Sequence, residues 1–291
     1  MDRKDFLKSI SLLMASPIVS NAQPILDELK KMENTARMPV FFIGHGNPMN
    51  ALYDNAFTKK LNTIKAGVPK PKAILVVSAH WLTRGTYVST NPSPKTIYDF
   101  GGFPDELFQV KYEPKGSPDL AKEVAQKINY TKVAEDKDMG LDHGAWTILK
   151  HIYPSADIPT FQLSIDYSKP ASYHYELAKQ LNYLRDKGVL IIGSGNIVHN
   201  LGMVDFQNPN NVFDWAREFD TTVKNLLDKG DDVSLINYEK LGKSALLSIP
   251  TNDHYLPMIY ILGLKNKGEH VEHIYESLEM GSLSMRSFVI K

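Results

Sequence analysis

The 291-residue chain contains no cysteine. Disulfide staples, thiolate nucleophiles and sulfur-ligated zinc are excluded together, so any metal must be held by histidine or carboxylate. Nor does one sign of charge dominate. The 33 Lys plus Arg are matched by 33 Asp plus Glu, which gives no overall field to attract a phosphate backbone. Nucleic acid is therefore not an expected partner. Long apolar runs are missing too: the run at residues 10–19 is too short to span a bilayer and no other segment reaches that length. No stable membrane anchor is expected. What is present is an ordinary globular composition, 43% hydrophobic and 23% charged, on a chain long enough to bury a substantial core.

Residues 1–22 join the basic pair Arg3-Lys4 to that short apolar run and a small-residue exit at Ser20, Asn21 and Ala22. The segment reads as an export signal, twin-arginine-like with Lys in place of the second Arg. An amphipathic N-terminal helix is the alternative. On the first reading a periplasmic or exported location is favoured over a cytoplasmic one. Residues 23–37 read as a linker, and 38–291 as one catalytic domain.

Apolar, β-branched runs predict strands at 40–43, 73–77 and 189–192, with a strand-like stretch at 158–165. Helices are predicted at 56–66, at 118–128 behind a Ser117 cap, at 144–153 and at 170–187. Such alternation predicts a single α/β domain whose central sheet, mostly parallel or mixed, is covered by helices on both faces. In that architecture ligands gather where the strands end and their loops diverge.

Histidines fall at those places. Nine are present, and His45, His80, His143, His199 and His254 stand at strand ends or helix starts among Gly, Asn and Pro. No short zinc spacing of the HExxH kind occurs, so the fold must assemble any shared site from five separate loops. His151, His174, His270 and His273 read as structural. Several imidazoles on one ion suit a transition metal rather than Mg(II) or Ca(II), and an anionic chelating substrate would balance its charge.

The blocks GHGNPMNAL (44–52), VVSAHWLTRG (76–85), IYDFGGFP (97–104), LDHGAW (141–146), GSGNIVHNL (193–201), PTNDHYLP (250–257) and EMGSLSMRS (279–287) run in one order along the chain. Together they resemble the class III extradiol ring-cleaving dioxygenases of the 4,5-DOPA dioxygenase type, within the LigB-like superfamily. The resemblance implies that His45, His80 and His254 are metal ligands. It makes His199 either a fourth ligand or an acid/base, and His143 a catalytic group that hydrogen-bonds substrate or oxygen. It implies Fe(II) for activity, with Zn(II) a candidate in the isolated protein. The substrates would be a small catechol and O2, and the product a muconic semialdehyde.

Trp81, Tyr98, Phe100, Phe103 and Trp146 are candidates to wall an aromatic substrate pocket, with core packing as the alternative. Asn47, Ser78 and Asn196 read either as groups that orient ligand imidazoles or as turn residues. Arg84 reads as a partner for a substrate carboxylate or as a surface ion pair. Two other functions compete: a zinc hydrolase using Asp253 or Asp142 as base on the same histidines, and a non-catalytic binding protein. The sequence names no oligomeric interface.

Overall fold

Three of the apolar runs carry no polar alternation, because the sheet they build is covered on both sides. The computed structural model describes residues 37–291, so the expected export segment at 1–22 and all but the last residue of the linker at 23–37 lie outside the described residues. The main sheet comprises β1 (Val40–Gly44), β2 (Ala73–Ser78), β3 (Thr160–Gln162), β4 (Val189–Gly195), β5 (Val271–Tyr275) and β6 (Ser287–Ile290), in the order β3-β2-β4-β1-β6-β5. The first four in that order are mutually parallel, while β6 runs antiparallel to both β1 and β5. The sheet is therefore mixed, with a parallel core.

Around it lie α1 (Ala56–Thr63), α2 (Pro118–Lys127), α3 (His143–Ile152), α4 (Ala171–Lys179), α5 (Asp214–Lys229) and α6 (Leu256–Gly263). Alternate strand residues face opposite layers. Phe42, Leu75, Val77 and Ile191 pack in one apolar cluster with α2, α4, α5 and α6. Phe41, Ile43, Ile74, Val76 and Ile192 pack in the other with α1 and α3. Every residue of α6 is buried, as expected of a helix that is apolar all round. Across the antiparallel side, buried Arg286 beside β6 donates to Asp220 of α5, with Nη2 to Oδ2 at 2.5 Å, and to Glu276 at 2.8 Å.

Two local expectations need correction. The helix predicted over 170–187 is broken: α4 ends at Lys179, and a separate short helix spans Tyr183–Asp186. Ser117 occupies the N-cap of α2 but makes no side-chain capping bond. Its ψ of 66° departs from the extended geometry that aims a capping hydroxyl at the first turn.

Strand register places the functional loops. Gly44 pairs with Gly195, and Ser78 with Ser194, so the carboxyl ends of β1, β2 and β4 lie level. Whatever follows those residues emerges at one edge of the sheet.

Candidate metal centre

His45 directly follows β1, and its backbone N–H donates to the Gly195 carbonyl at 3.1 Å. His80 stands two residues beyond β2. His254 precedes α6, and its carbonyl accepts from the Asn196 N–H at 2.9 Å, which ties this loop to the end of β4. Glycine is required at 195, since a Cβ there would collide with that carbonyl. The rings of His45, His80 and His254 lie with centroids 4.8–5.3 Å apart. Their ligand nitrogens all fall within 4.8 Å of one another.

The hydrogen bonds around these rings fix which nitrogen faces inward. Ser194 Oγ donates to the Gly144 carbonyl at 2.6 Å. With its one proton used there, it accepts from His45 Nδ1 at 3.0 Å, which leaves the His45 Nε2 lone pair directed at the cluster. His254 Nδ1 donates to Asp253 Oδ2, so its Nε2 also carries a lone pair. His80 Nδ1 faces Asp99 Oδ2 at 3.5 Å. In this arrangement His45 Nε2 and His80 Nε2 lie 3.1 Å apart as two acceptors, and buried His254 Nε2 has no hydrogen-bond partner. Nitrogens bound at about 2.1 Å to one octahedral or tetrahedral ion stand about 3.0–3.4 Å apart. The three donors fit a divalent transition metal, and neutral imidazole is the form that binds it.

A second arrangement adjoins the first. His143, the first residue of α3, donates from its backbone N–H to Asp99 Oδ1 and from Nδ1 to Asp99 Oδ2, each at 2.9 Å. Its ring lies 3.8 Å from that of His80. Asp142 caps α3 by accepting from the Ala145 N–H at 3.1 Å, and also accepts from Ser78 Oγ at 2.6 Å. Gly144 leaves room for this packing: a Cβ there would lie 2.5 Å from Ser78 Oγ and 2.9 Å from His80 Cδ2. On the far side, His199 stacks on His254 at 3.4 Å and 7°. Its ligand nitrogen groups with a carboxylate oxygen of Asp253 and a ring nitrogen of His254 rather than with the His45 and His80 pair.

Burial, reinforced by neighbouring imidazoles, holds His45 and His80 well below the ordinary histidine value and brings His199 down to about 3. Burial pushes Asp142 up to about 6, helped by the Asp99 charge. Burial also works to raise Asp99, but its hydrogen bonds and charge interaction with His143 outweigh that, and its carboxyl sits below the usual range. His45, His80 and His199 thus present neutral nitrogens to a cavity of about 300 Å³.

Residues 37–287 match the family model described as the catalytic LigB subunit of aromatic ring-opening dioxygenase. The chain belongs to this family. It is 45% identical over 261 residues to the 4,5-DOPA dioxygenase extradiol of Escherichia coli K12, covering 88% of this chain and 96% of that one. It is 38% identical over 254 residues to the protein of the same name from Beta vulgaris, covering 85% and 94%. An E. coli K12 crystal structure of an uncharacterized protein superposes with a TM-score of 0.77 at 41% identity, over 88% of this chain and all of that one. The LigB-family chain is thus an extradiol aromatic ring-opening dioxygenase, a non-haem metal enzyme acting on a small aromatic diol with O2. Among the described residues no helix is long and apolar enough to cross a membrane.

All five histidines singled out from the sequence line this LigB cavity. The aromatic wall is narrower than expected. Phe100 and Phe103 line the cavity, whereas Trp81, Tyr98 and Trp146 do not stand among its lining residues. Trp146 is fully buried and donates from Nε1 to the Ile97 carbonyl at 2.9 Å, and Tyr98 Oη donates to the Val110 carbonyl at 2.7 Å. Each has its polar group satisfied in the packing behind Phe100, and Trp81 is buried in its turn. Asn47 is a turn residue, accepting from the Met49 N–H at 2.9 Å. Asn196 Nδ2 donates to the Ser284 carbonyl at 2.7 Å and holds a neighbouring loop. Arg84 is a surface residue hydrogen-bonded to Tyr167.

His151 donates to the Asn50 carbonyl at 2.7 Å, and His174 pairs with Tyr260 Oη at 3.0 Å, both away from the centre. Sequence reasoning missed Ser194 and Asp99. Ser194 sits inside an apolar strand end, and Asp99 inside an aromatic loop; a polar residue in each of those settings was the available signal.

Proposed function

We propose that the enzyme opens catechol rings beside the diol with Fe(II) as the active metal, held by His45, His80 and His254, and forms a muconic semialdehyde. The observation that carries this reading is the convergence of three Nε2 lone pairs whose opposite nitrogens are engaged by Ser194, Asp99 and Asp253. Zn(II) fits the same donors and is expected to fill the site without supporting ring opening. When bound, Fe(II) supplies the electron relay that lets an electron-rich ring react with O2 despite the spin barrier.

The protein's own residues handle the protons. With Nδ1–H held by Asp99, His143 presents Nε2 as the atom that accepts a catechol hydroxyl proton and returns it as the ring opens. His199, kept neutral by burial, faces the cavity from the side of His254 and positions a substrate oxygen by hydrogen bonding. Phe100 and Phe103 supply an apolar wall that excludes water beside the ring. Relatives are named for DOPA, and that catechol belongs in the first assay.

Oxygen uptake recorded together with absorbance, on Fe(II)-reconstituted and Zn(II)-loaded protein, tests the proposal. Stoichiometric O2 loss with a new yellow product, confined to the iron form, is expected. Ring opening that survives His45→Ala or His80→Ala with metal content unchanged would overturn the site assignment.

A further inference from the structure

The cavity has two chemically different halves. Its floor carries the five imidazoles. Its outer wall is built from Phe100, Phe103, Leu201, Val204, Phe206 and Met280. Leu201 and Phe206 stand at the mouth, 62% and 74% exposed, with Met203 between them in sequence also exposed. Large apolar side chains held in water at the rim of a site gain only when something apolar covers them.

Charge on this wall points the same way. Among the described residues lining the cavity, Asp99 is the one carboxylate and there is no Lys or Arg. Arg84, the sequence candidate for holding a substrate carboxylate, is instead bonded to Tyr167, which lines a separate cleft with Leu82 and Asp253. A carboxylate on the outer part of a substrate would lose water against apolar carbon without gaining a cation.

We infer that this outer wall selects catechols whose ring substituent is apolar and uncharged, so that carboxylated catechols, DOPA among them, are turned over but not preferred. The inference rests on the catechol reading above and adds the class of substituent. Each methylene that reaches the wall is worth about a fourfold gain in kcat/KM. Phe206 and Leu201 are then specificity-determining residues.

The test compares catechols that differ in charge but not in ring electronics: 3-(3,4-dihydroxyphenyl)propionate against its methyl ester, with 4-ethylcatechol, DOPA and unsubstituted catechol alongside. The first readout is kcat/KM on Fe(II)-loaded enzyme, each value taken relative to unsubstituted catechol in the same protein. The second is anaerobic displacement of 4-nitrocatechol from Zn(II)-loaded enzyme, which reports binding without chemistry. The ester is expected to exceed the acid by about tenfold in both readouts. Phe206→Arg is expected to narrow that gap by about threefold, the worth of an exposed ion pair. An acid that equals or exceeds its ester in the unmodified enzyme would overturn the selectivity while leaving ring opening intact. If no catechol consumes O2 or displaces the probe, the catechol reading itself fails and the inference falls with it.

Discussion

Mild acid should destabilise the metal-free protein steeply, because its buried imidazoles are held neutral. His45 and His80 lie well below 6.5, His199 near 3, and His174, on the buried face of α4 beside Tyr260 of α6, near 4. An unfolded chain protonates each of these as pH falls through 6.5, whereas the native chain does not. At pH 5 the unfolded state therefore holds about four more protons on histidine. Asp142 acts in the opposite sense. Its native carboxyl, raised to about 6, has already taken up a proton that the unfolded one, near 3.8, has not. The net is about three protons, or about 4 kcal/mol lost per pH unit near pH 5, with full stability retained above pH 6.5. For a domain of this size that lowers Tm by roughly 10 °C between pH 6 and pH 5. Thermal melts of chelator-treated protein across pH 5–7.5 measure it. His199→Gln should remove about one proton from the slope, about 1.4 kcal/mol per pH unit. A Tm that is flat or rises on acidification from pH 6 would refute the reasoning.

Other perturbations follow from the same contacts. Asp99→Ala frees Nδ1 of His143 and removes the oxygen facing His80, and should weaken Co(II) or Zn(II) binding about 10–100-fold by titration against a chelator. Ser194→Ala should act on affinity in the same range through His45, and unchanged affinity would show that ring orientation does not depend on this hydroxyl. Gly144→Ala pushes a methyl group against Ser78 Oγ and His80, so a cost of about 1–3 kcal/mol in denaturant melts should accompany poorer metal retention. Asp220→Ala leaves buried Arg286 with Glu276 as its remaining carboxylate partner. A loss of about 3–5 kcal/mol is expected, with metal affinity in the surviving folded fraction little changed.

Much of the architecture was legible because each layer left a periodic trace. The unbroken apolar runs at 40–43, 73–77 and 189–192 can only be strands covered on both faces, and the helices between them follow from their caps and lengths. Less legible was the end of the helix begun at Ala171, where Gln180 accepts from the Asn129 and Tyr130 N–H groups across the surface instead of lying within a longer helix. The aromatic wall was legible only in part. Composition marks Tyr98 and Trp146 as aromatic, but that they pack away from the cavity depends on where the Val110 and Ile97 carbonyls lie.

The sequence by itself determined the donor chemistry: no thiolate, no dominant charge, and five histidines at the ends of elements in a recognisable order. Residue type and local pattern suffice for that, since they are properties of short segments. Tertiary structure alone decided that Nε2 of His45 and His80 meet at 3.1 Å, that Ser194 and Asp99 turn those nitrogens inward, and that an apolar rim faces outward. The contacts that His45 makes here join groups 35 and 149 residues apart, and strand register, set by the packing of both sheet faces, is what brings them level.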